Sequence, residues 1–267
     1  MLLDVRDLHV LYRTPGRQPV AAVRGVTFSL DTGESLGLVG ESGCGKSSLA
    51  RALIGIQPPE AGTIRFEGQD IARLTPPAFA RYRRAVQMIF QDAAGSLNPR
   101  MTVRQTLEEV LRVHAMRPAA RIPDRIRELL DRVGLPETVL NAFPREISGG
   151  QCQRVSFARC LALEPRLILA DEPVSALDVS VQARILNRLR SLQKELNLAI
   201  ILISHDLAVV RNICDRVVIM RAGEFVECGT ANEVLDTPQH PYTRELLAAV
   251  PDIARSLRSK VPPQPVT

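Results

Sequence analysis

Gly40-Glu41-Ser42-Gly43-Cys44-Gly45-Lys46-Ser47 is the stretch on which the fold of this chain turns. It fits the pattern Gly-x4-Gly-Lys-Ser, and both flanks agree with it. The short apolar run Ser35 to Val39 reads as a strand leading into Gly40, and helical signals run from Lys46 to Ile56. The glycines let successive backbone N–H groups wrap the β- and γ-phosphates of a nucleotide. Lys46 adds a point charge, and the Ser47 hydroxyl is suited to ligating Mg²⁺. The candidate phosphate contacts are Gly40, Glu41, Ser42, Gly43, Cys44, Gly45, Lys46, Ser47 and the adjoining Ser48. A glycine-rich turn that ends in lysine by chance has no reason to stand between a strand and a helix.

Outward from this loop, strand-like and helix-like segments alternate. Leu2 to Tyr12 and Val20 to Leu30 read as β-rich ribbons, and Thr63 to Phe66 and Val86 to Phe90 as further strands. Beyond Gln91 the texture changes. From Val103 to about Val133 the apolar spacing is helical, with Pro118 and Pro123 dividing two helices, and no strand of any length is predicted before Leu167. The alternation then resumes, with strands at Leu167 to Ala170, Leu198 to Ser204 and Asp215 to Met220, and a long helix at Val179 to Leu196. Continuously apolar strands belong to parallel sheets covered on both faces. The pattern therefore predicts an α/β fold, a parallel-sheet core interrupted by a helical insert. From Thr237 to Thr267 repeated prolines predict a short helix followed by a loose tail.

Several side chains carry chemistry. Leu167-Ile168-Leu169-Ala170-Asp171-Glu172 ends a buried strand in two acids. Asp171 is suited to holding Mg²⁺, usually through water, and Glu172 to polarising an attacking water. Such a pair elsewhere merely opens a loop or caps a helix; beside the Gly40 loop it points to hydrolysis. Gln91 stands where a core strand gives way to the helical insert, placed to reach both metal and lytic water. His205 follows an apolar strand and so emerges at the carboxyl edge of the sheet, where open α/β folds bind ligands. Far downstream of the first loop, Ser148-Gly149-Gly150-Gln151 follows Ile147 and precedes an apolar-periodic stretch. This second small-residue turn suggests a γ-phosphate sensor.

Composition narrows the class. At 267 residues the chain can bury a full core, and no apolar run reaches the roughly 18 to 20 residues that span a bilayer. Charges in Met1 to Asp7 occupy the place of a secretory apolar region, so a cytoplasmic location is expected. The five cysteines, Cys44, Cys152, Cys160, Cys214 and Cys228, form no Cys-x-x-Cys pair, which argues against a disulfide framework or a zinc site. A net charge of +5 without a dense basic block suits nucleotides, anionic headgroups or a solvated face alike.

Taken together, these residues resemble the ATP-binding-cassette ATPase family over nearly the whole chain. The resemblance implies a P-loop core with a mostly parallel sheet, an antiparallel β subdomain near the N-terminus and an inserted α-helical subdomain. It implies a domain at 1–238, with the helical subdomain at about 92–160, and a family-specific tail at 239–267. It makes ATP and Mg²⁺ the ligands, with Ser47, Gln91 and Asp171 toward the metal and Glu172, His205 and Gln91 catalytic. Gln91 becomes the Q-loop residue, Ser175-Ala176-Leu177-Asp178 the D-loop and His205 the switch histidine. Ser148, Gly149, Gly150 and Gln151 become the signature that completes the site of the opposite subunit, its helix N-terminus aimed at the γ-phosphate. Tyr12 looks like the aromatic that stacks on adenine, or else a core tyrosine on a strand face.

Two segments resemble, more narrowly, the ATP-binding subunits of oligopeptide, dipeptide and nickel importers: Gln91 to Val103 and Thr237 to Arg244. The run Asp171 to Val179 favours the second of the two ATPase subunits of such systems. That implies a second, non-identical ATP-binding subunit, two membrane-spanning permease subunits and, indirectly, an extracytoplasmic solute-binding protein. No nucleic-acid partner is expected. The chain would sit peripherally on the cytoplasmic face of the membrane and power import of peptides or a related solute such as nickel. Cys152 departs from the family, where arginine is usual, and any salt bridge that arginine makes is in doubt. No cysteine follows Cys228, so no iron–sulfur cluster is expected. The rival is a soluble cassette ATPase of DNA repair or translation, whose usual second cassette, coiled coil or zinc modules do not show in this sequence.

Overall fold

The structure, a computed structural model, describes residues 1–13, 16, 18–174 and 179–249, and among these the side chains of 179–181 are not described. The D-loop segment Ser175 to Asp178 and the proline-rich end of the chain from residue 250 lie outside the described residues. The first half contains β1 (Leu3–Tyr12), β2 (Val20–Leu30), β3 (Ser35–Val39), α1 (Lys46–Leu53), β4 (Ala61–Phe66), β5 (Gln69–Asp70), α2 (Pro76–Ala85) and β6 (Val86–Ile89). Then follow α3 (Val103–Val113), α4 (Ile122–Arg132), α5 (Gly149–Leu161), β7 (Leu167–Asp171), α6 (Val179–Leu196), β8 (Ala199–Ile203) and α7 (Leu207–Ile213). The chain closes with β9 (Arg216–Arg221), β10 (Glu224–Thr230), α8 (Ala231–Asp236) and α9 (Pro241–Ala248).

Two sheets result. One is antiparallel, in the order β2-β1-β4-β5; the other runs β10-β9-β3-β8-β7-β6 and is parallel except for its β9–β10 hairpin. The parallel sheet is two-faced because strand side chains alternate. In β7, Ile168 and Ala170 enter one core while Leu167 and Leu169 enter the other, and in β8 Ile200 and Leu202 part from Ala199, Ile201 and Ile203 in the same way. On the second face Leu49 and Leu53 of α1 lie between the two sheets with Val5 and Leu8 of β1. Each leucine so buried contributes roughly 1.5–3 kcal/mol over exposure.

The first face is covered by helices, and the insert joins it there. Thr102 and Gln105 form a capping box that starts α3, which then buries Val103, Leu107 and Leu111 at a four-residue spacing. These meet Ile126 and Leu129 of α4 and Val155 and Ala158 of α5 in one continuous core with β7 and β8. The helical insert is thus tied to the sheet through α5.

Besides β5, a strand of only two residues, the sequence pattern missed four elements outside this plan, each for a physical reason. Helix α2 begins Pro-Pro and buries only Tyr82, so it has no apolar stripe. Helix α7 has only seven residues, and its four-residue apolar run from Leu207 to Val210 cannot be told from a strand by periodicity. Strand β10 is an edge strand without fully buried side chains, and α8 has only six residues. The predicted ends also shift: α1 stops at Leu53 rather than Ile56, and β9 runs to Arg221.

Candidate functional site

The loop after β3 is held open by neighbours distant in sequence. Ser35 opens β3 by donating both its N–H and its hydroxyl to Asp215 Oδ2, at 2.8 and 2.6 Å, which locks β3 beside β9. At the other end of β3 the chain enters the loop, where Gly223 N–H donates to Cys44 O at 2.8 Å. Gly45 has φ +114, and a Cβ there would lie 2.1 Å from Ala22 O. Only glycine fits that approach, because L side chains rarely adopt this backbone conformation and have no room for the carbon. Lys46 is 7% exposed, and its Nζ donates to Gly40 O and Glu41 O, both at 2.7 Å.

Four chain segments meet at the carboxyl edge of the parallel sheet. In register, Ile89 pairs with Ala170 and Asp171 with Ile203, so Gln91, Glu172 and His205 all fall just past the same edge as the loop. Gln91 Nε2 donates to Glu172 Oε2 at 3.0 Å, and His205 Nδ1 lies 3.0 Å from Glu172 Oε1. Glu172 has φ +45, which is strained for a residue with a side chain, and its N–H donates to Ile203 O at 2.9 Å. Asp171 accepts a hydrogen bond from the Ser47 side chain. Burial raises the Asp171 pKa above the usual carboxylate range; Ser47 opposes this, the Glu172 charge adds to it, and Lys46 and Arg51 reduce it.

The cleft so formed has a volume of about 620 Å³ and is lined by Ser42 to Ser48, Gln91, Asp171, Glu172 and His205. Its donor set suits Mg²⁺: a hydroxyl and a carboxylate already in contact, both hard oxygens. Among the described residues no cluster of three or more His, Cys, Asp or Glu side chains gathers to cage a metal. Mg²⁺ does not need one, since it binds through one or two carboxylates together with water and substrate phosphates.

Some predicted residues stand apart from this cleft. Tyr12 pairs with Val20, which lines the cleft, but its own ring packs against the core between the sheets, and among the described residues its buried hydroxyl has no partner. Ser148, Gly149, Gly150 and Gln151 do not line it at all. They form the start of α5: Gln151 N–H donates to Ser148 Oγ at 3.2 Å and Ser148 N–H to Gln151 Oε1 at 2.8 Å. This capping box leaves the first turn's remaining N–H groups without an intrahelical acceptor. Cys152 is buried, donates weakly to Pro144 O at 3.4 Å, and burial lifts its pKa. Val20, Ala21, Ala22, Arg24, Ala222 and Gly223 also line the cleft. The sequence carries no signal for these, because β2 and the β9–β10 turn reach the loop only through tertiary packing.

A phosphate-binding loop beside a carboxylate pair at the edge of a parallel sheet defines a P-loop nucleoside triphosphatase. Residues 23–175 match the family model described as ABC transporter, and residues 226–266 match that described as Oligopeptide/dipeptide transporter, C-terminal region. The chain is 47% identical over 260 residues to the oligopeptide transport ATP-binding protein OppF of Escherichia coli, covering 94% of this chain and 78% of that protein. It is 49% identical over 233 residues to the oligopeptide transport ATP-binding protein AppF of Bacillus subtilis, covering 87% and 71%. Among solved structures, the dimeric post-hydrolysis state of the ATP-binding cassette MJ0796, bound to ADP and Pi, superposes with a TM-score of 0.77 at 27% identity, covering 86% of this chain and 99% of that one. The cbiO1 protein of Clostridium perfringens, part of the ABC transporter complex cbiONQ, gives 0.78 at 27% identity over 96% and 98%. The chain belongs to the ABC transporter ATPase family and closely resembles the ATP-binding subunits of oligopeptide and dipeptide transporters.

Proposed function

We propose that this chain is the ATP-hydrolysing subunit that powers peptide import through a membrane ABC transporter, with Glu172 as general base. The observation that carries this reading is the Glu172 carboxylate held between Gln91 Nε2 and His205 Nδ1 beside the Lys46 loop. Both carboxylate oxygens are engaged, and the side chain lines the cleft. Lys46 exchanges the carbonyls of Gly40 and Glu41 for phosphate oxygens when ATP binds. Ser47 and Asp171 would hold Mg²⁺, which would supply neutralisation of the phosphate charge when bound. Glu172 then takes the proton of the attacking water while Gln91 and His205 keep its carboxylate in place.

The exposed start of α5 fits a role outside its own cleft. In this reading Ser148, Gly149, Gly150 and Gln151 close over the ATP of a second, non-identical ATP-binding subunit, head to tail, and hydrolysis reopens the pair. Residues 1–238 form the ATPase unit, the helices within about 92–160 face the membrane subunits, and 239–267 are a family-specific extension. Two permease subunits and an extracytoplasmic binding protein complete the assembly, and the chain lies on the cytoplasmic face of the membrane. In keeping with a peripheral subunit, no described helix is long and apolar enough to cross a membrane. Peptide as cargo is supported by the match at 226–266 and by the names of the relatives. The test is transport by the assembled complex: Glu172→Gln should bind ATP but neither hydrolyse it nor import peptide, and unchanged hydrolysis would remove Glu172 from its role.

A further inference from the structure

The C-terminal region reaches the nucleotide loop directly. Tyr242, in the first turn of α9, is 3% exposed, and its hydroxyl accepts the N–H of Glu41 at 3.2 Å. That N–H belongs to the peptide group joining Gly40 to Glu41, and the carbonyl of the same group, Gly40 O, accepts from Lys46 Nζ at 2.7 Å. One peptide plane therefore joins the Tyr242 hydroxyl to the Lys46 ammonium. The ring is fixed from its other side by the Arg221 guanidinium, 4.7 Å from its centroid.

The segment that delivers Tyr242 is itself anchored. Glu227 of β10 accepts the N–H of Gln239 at 2.7 Å and of His240 at 3.1 Å. His240 Nδ1 accepts the N–H of Tyr242 at 3.2 Å, capping α9. Every residue in this relay from Glu227 to Tyr242 falls within the stretch matched to the oligopeptide and dipeptide C-terminal region.

We infer that Tyr242 is a positioning residue of the nucleotide site, holding the Gly40–Glu41 peptide plane, and through it Lys46, in the conformation that receives the triphosphate. The C-terminal region thereby becomes a structural part of the ATP site, with Glu227 as its anchor. Lys46 leaves Gly40 O when ATP binds, whereas the Tyr242 bond to the Glu41 N–H can stay; a plane already held at that end has less freedom to lose when phosphate arrives, so removing the bond returns that ordering cost to the binding step.

The inference rests on the nucleotide-binding reading of the loop, and the experiment separates the two. Calorimetric titration of the whole chain with ATP and Mg²⁺ is compared for wild type, Lys46→Ala, Tyr242→Phe, Glu227→Gln and the double variant. Phe keeps the ring over Arg221 and removes only the hydroxyl. Tyr242→Phe is expected to weaken ATP about three- to tenfold, the scale of one neutral hydrogen bond, with little change in Tm. Glu227→Gln should weaken it as well, and the double variant no more than the stronger single one, because both act through one contact. In the assembled transporter the loss should raise KM for ATP and leave kcat within about twofold. Wild-type affinity in Tyr242→Phe, or a lowered Tm with unchanged affinity, overturns the positioning role while leaving the nucleotide reading intact. Failure of wild type to bind, or unchanged binding by Lys46→Ala, overturns both.

Discussion

The cleft at the sheet edge and the start of α5 differ in how their polar groups are satisfied. In the cleft, Lys46 rests on two carbonyls, Ser47 on Asp171, and Glu172 between Gln91 and His205. At α5, Ser148 and Gln151 satisfy one another, and the remaining first-turn N–H groups await an acceptor outside the helix. The cleft is a set of charges held apart for chemistry, whereas the helix start is a neutral donor surface. A site needing both within one chain would bring them together, and this chain does not. Among the described residues the two stand apart, and that separation is what supports the proposal of two half-sites.

The largest effect expected on this contrast is at Glu172. Replacement by Gln should lower steady-state ATP hydrolysis about 10²- to 10⁴-fold, the usual contribution of a positioned base, while ATP still binds. Activity near wild type would mean that the cleft is not where water is activated. Next, Ser148→Arg should leave the isolated chain's affinity for ATP unchanged and cut turnover by the assembled complex roughly 100-fold, the scale of losing a preorganised donor. If the isolated chain instead loses ATP, the division into half-sites fails.

Gly45→Ala probes the shape of the loop rather than its charge. The strained backbone alone costs about 1–3 kcal/mol, and the new methyl would meet Ala22 O. A fall in Tm of several degrees is expected, at about 2–4 °C per kcal/mol for a large domain. The smallest effect concerns Asp171. Its folded pKa is raised chiefly by burial, so its contribution to stability is full below the ordinary carboxylate pKa and is lost as pH rises through the folded value. At neutral pH the ionised carboxylate is therefore a cost, and Asp171→Asn should melt slightly above wild type while losing Mg²⁺-dependent hydrolysis. The gap in Tm should close as the pH falls through the carboxylate range. Equal melting at neutral pH would mean that Asp171 carries no such cost.

How much was legible in advance depended on whether a residue's partner lies close in sequence. The Gly40 loop, its flanking strand and helix, and the small-residue turn at Ser148 are local, and each was readable from spacing. So was the placement of Gln91, Glu172 and His205 at strand ends, since an apolar strand that stops at a polar residue marks the sheet edge. Tyr12 falls at the end of a strand as its ribbon pattern predicts, and its ring packs on the core between the sheets; its role as the adenine-stacking aromatic stays a proposal. The lining from Val20 to Arg24 and from Ala222 to Gly223 gave no local signal, and neither did Tyr242, whose partner lies 201 residues away.

By itself the sequence determined the motifs of the site: a glycine-rich loop between strand and helix, an acid pair and two further polar residues at strand ends, and a second small-residue helix start. These follow from residue type and spacing within single elements, where backbone geometry leaves little choice. Only the tertiary structure decided which of them share a cleft. The register of β6, β7 and β8 gathers Gln91, Glu172 and His205 at one edge, and the packing of α5 in the helical insert keeps Ser148 away from it. It also brought the C-terminal Tyr242 onto Glu41. Such meetings depend on how faces pack across the whole chain, and no spacing along the sequence records them.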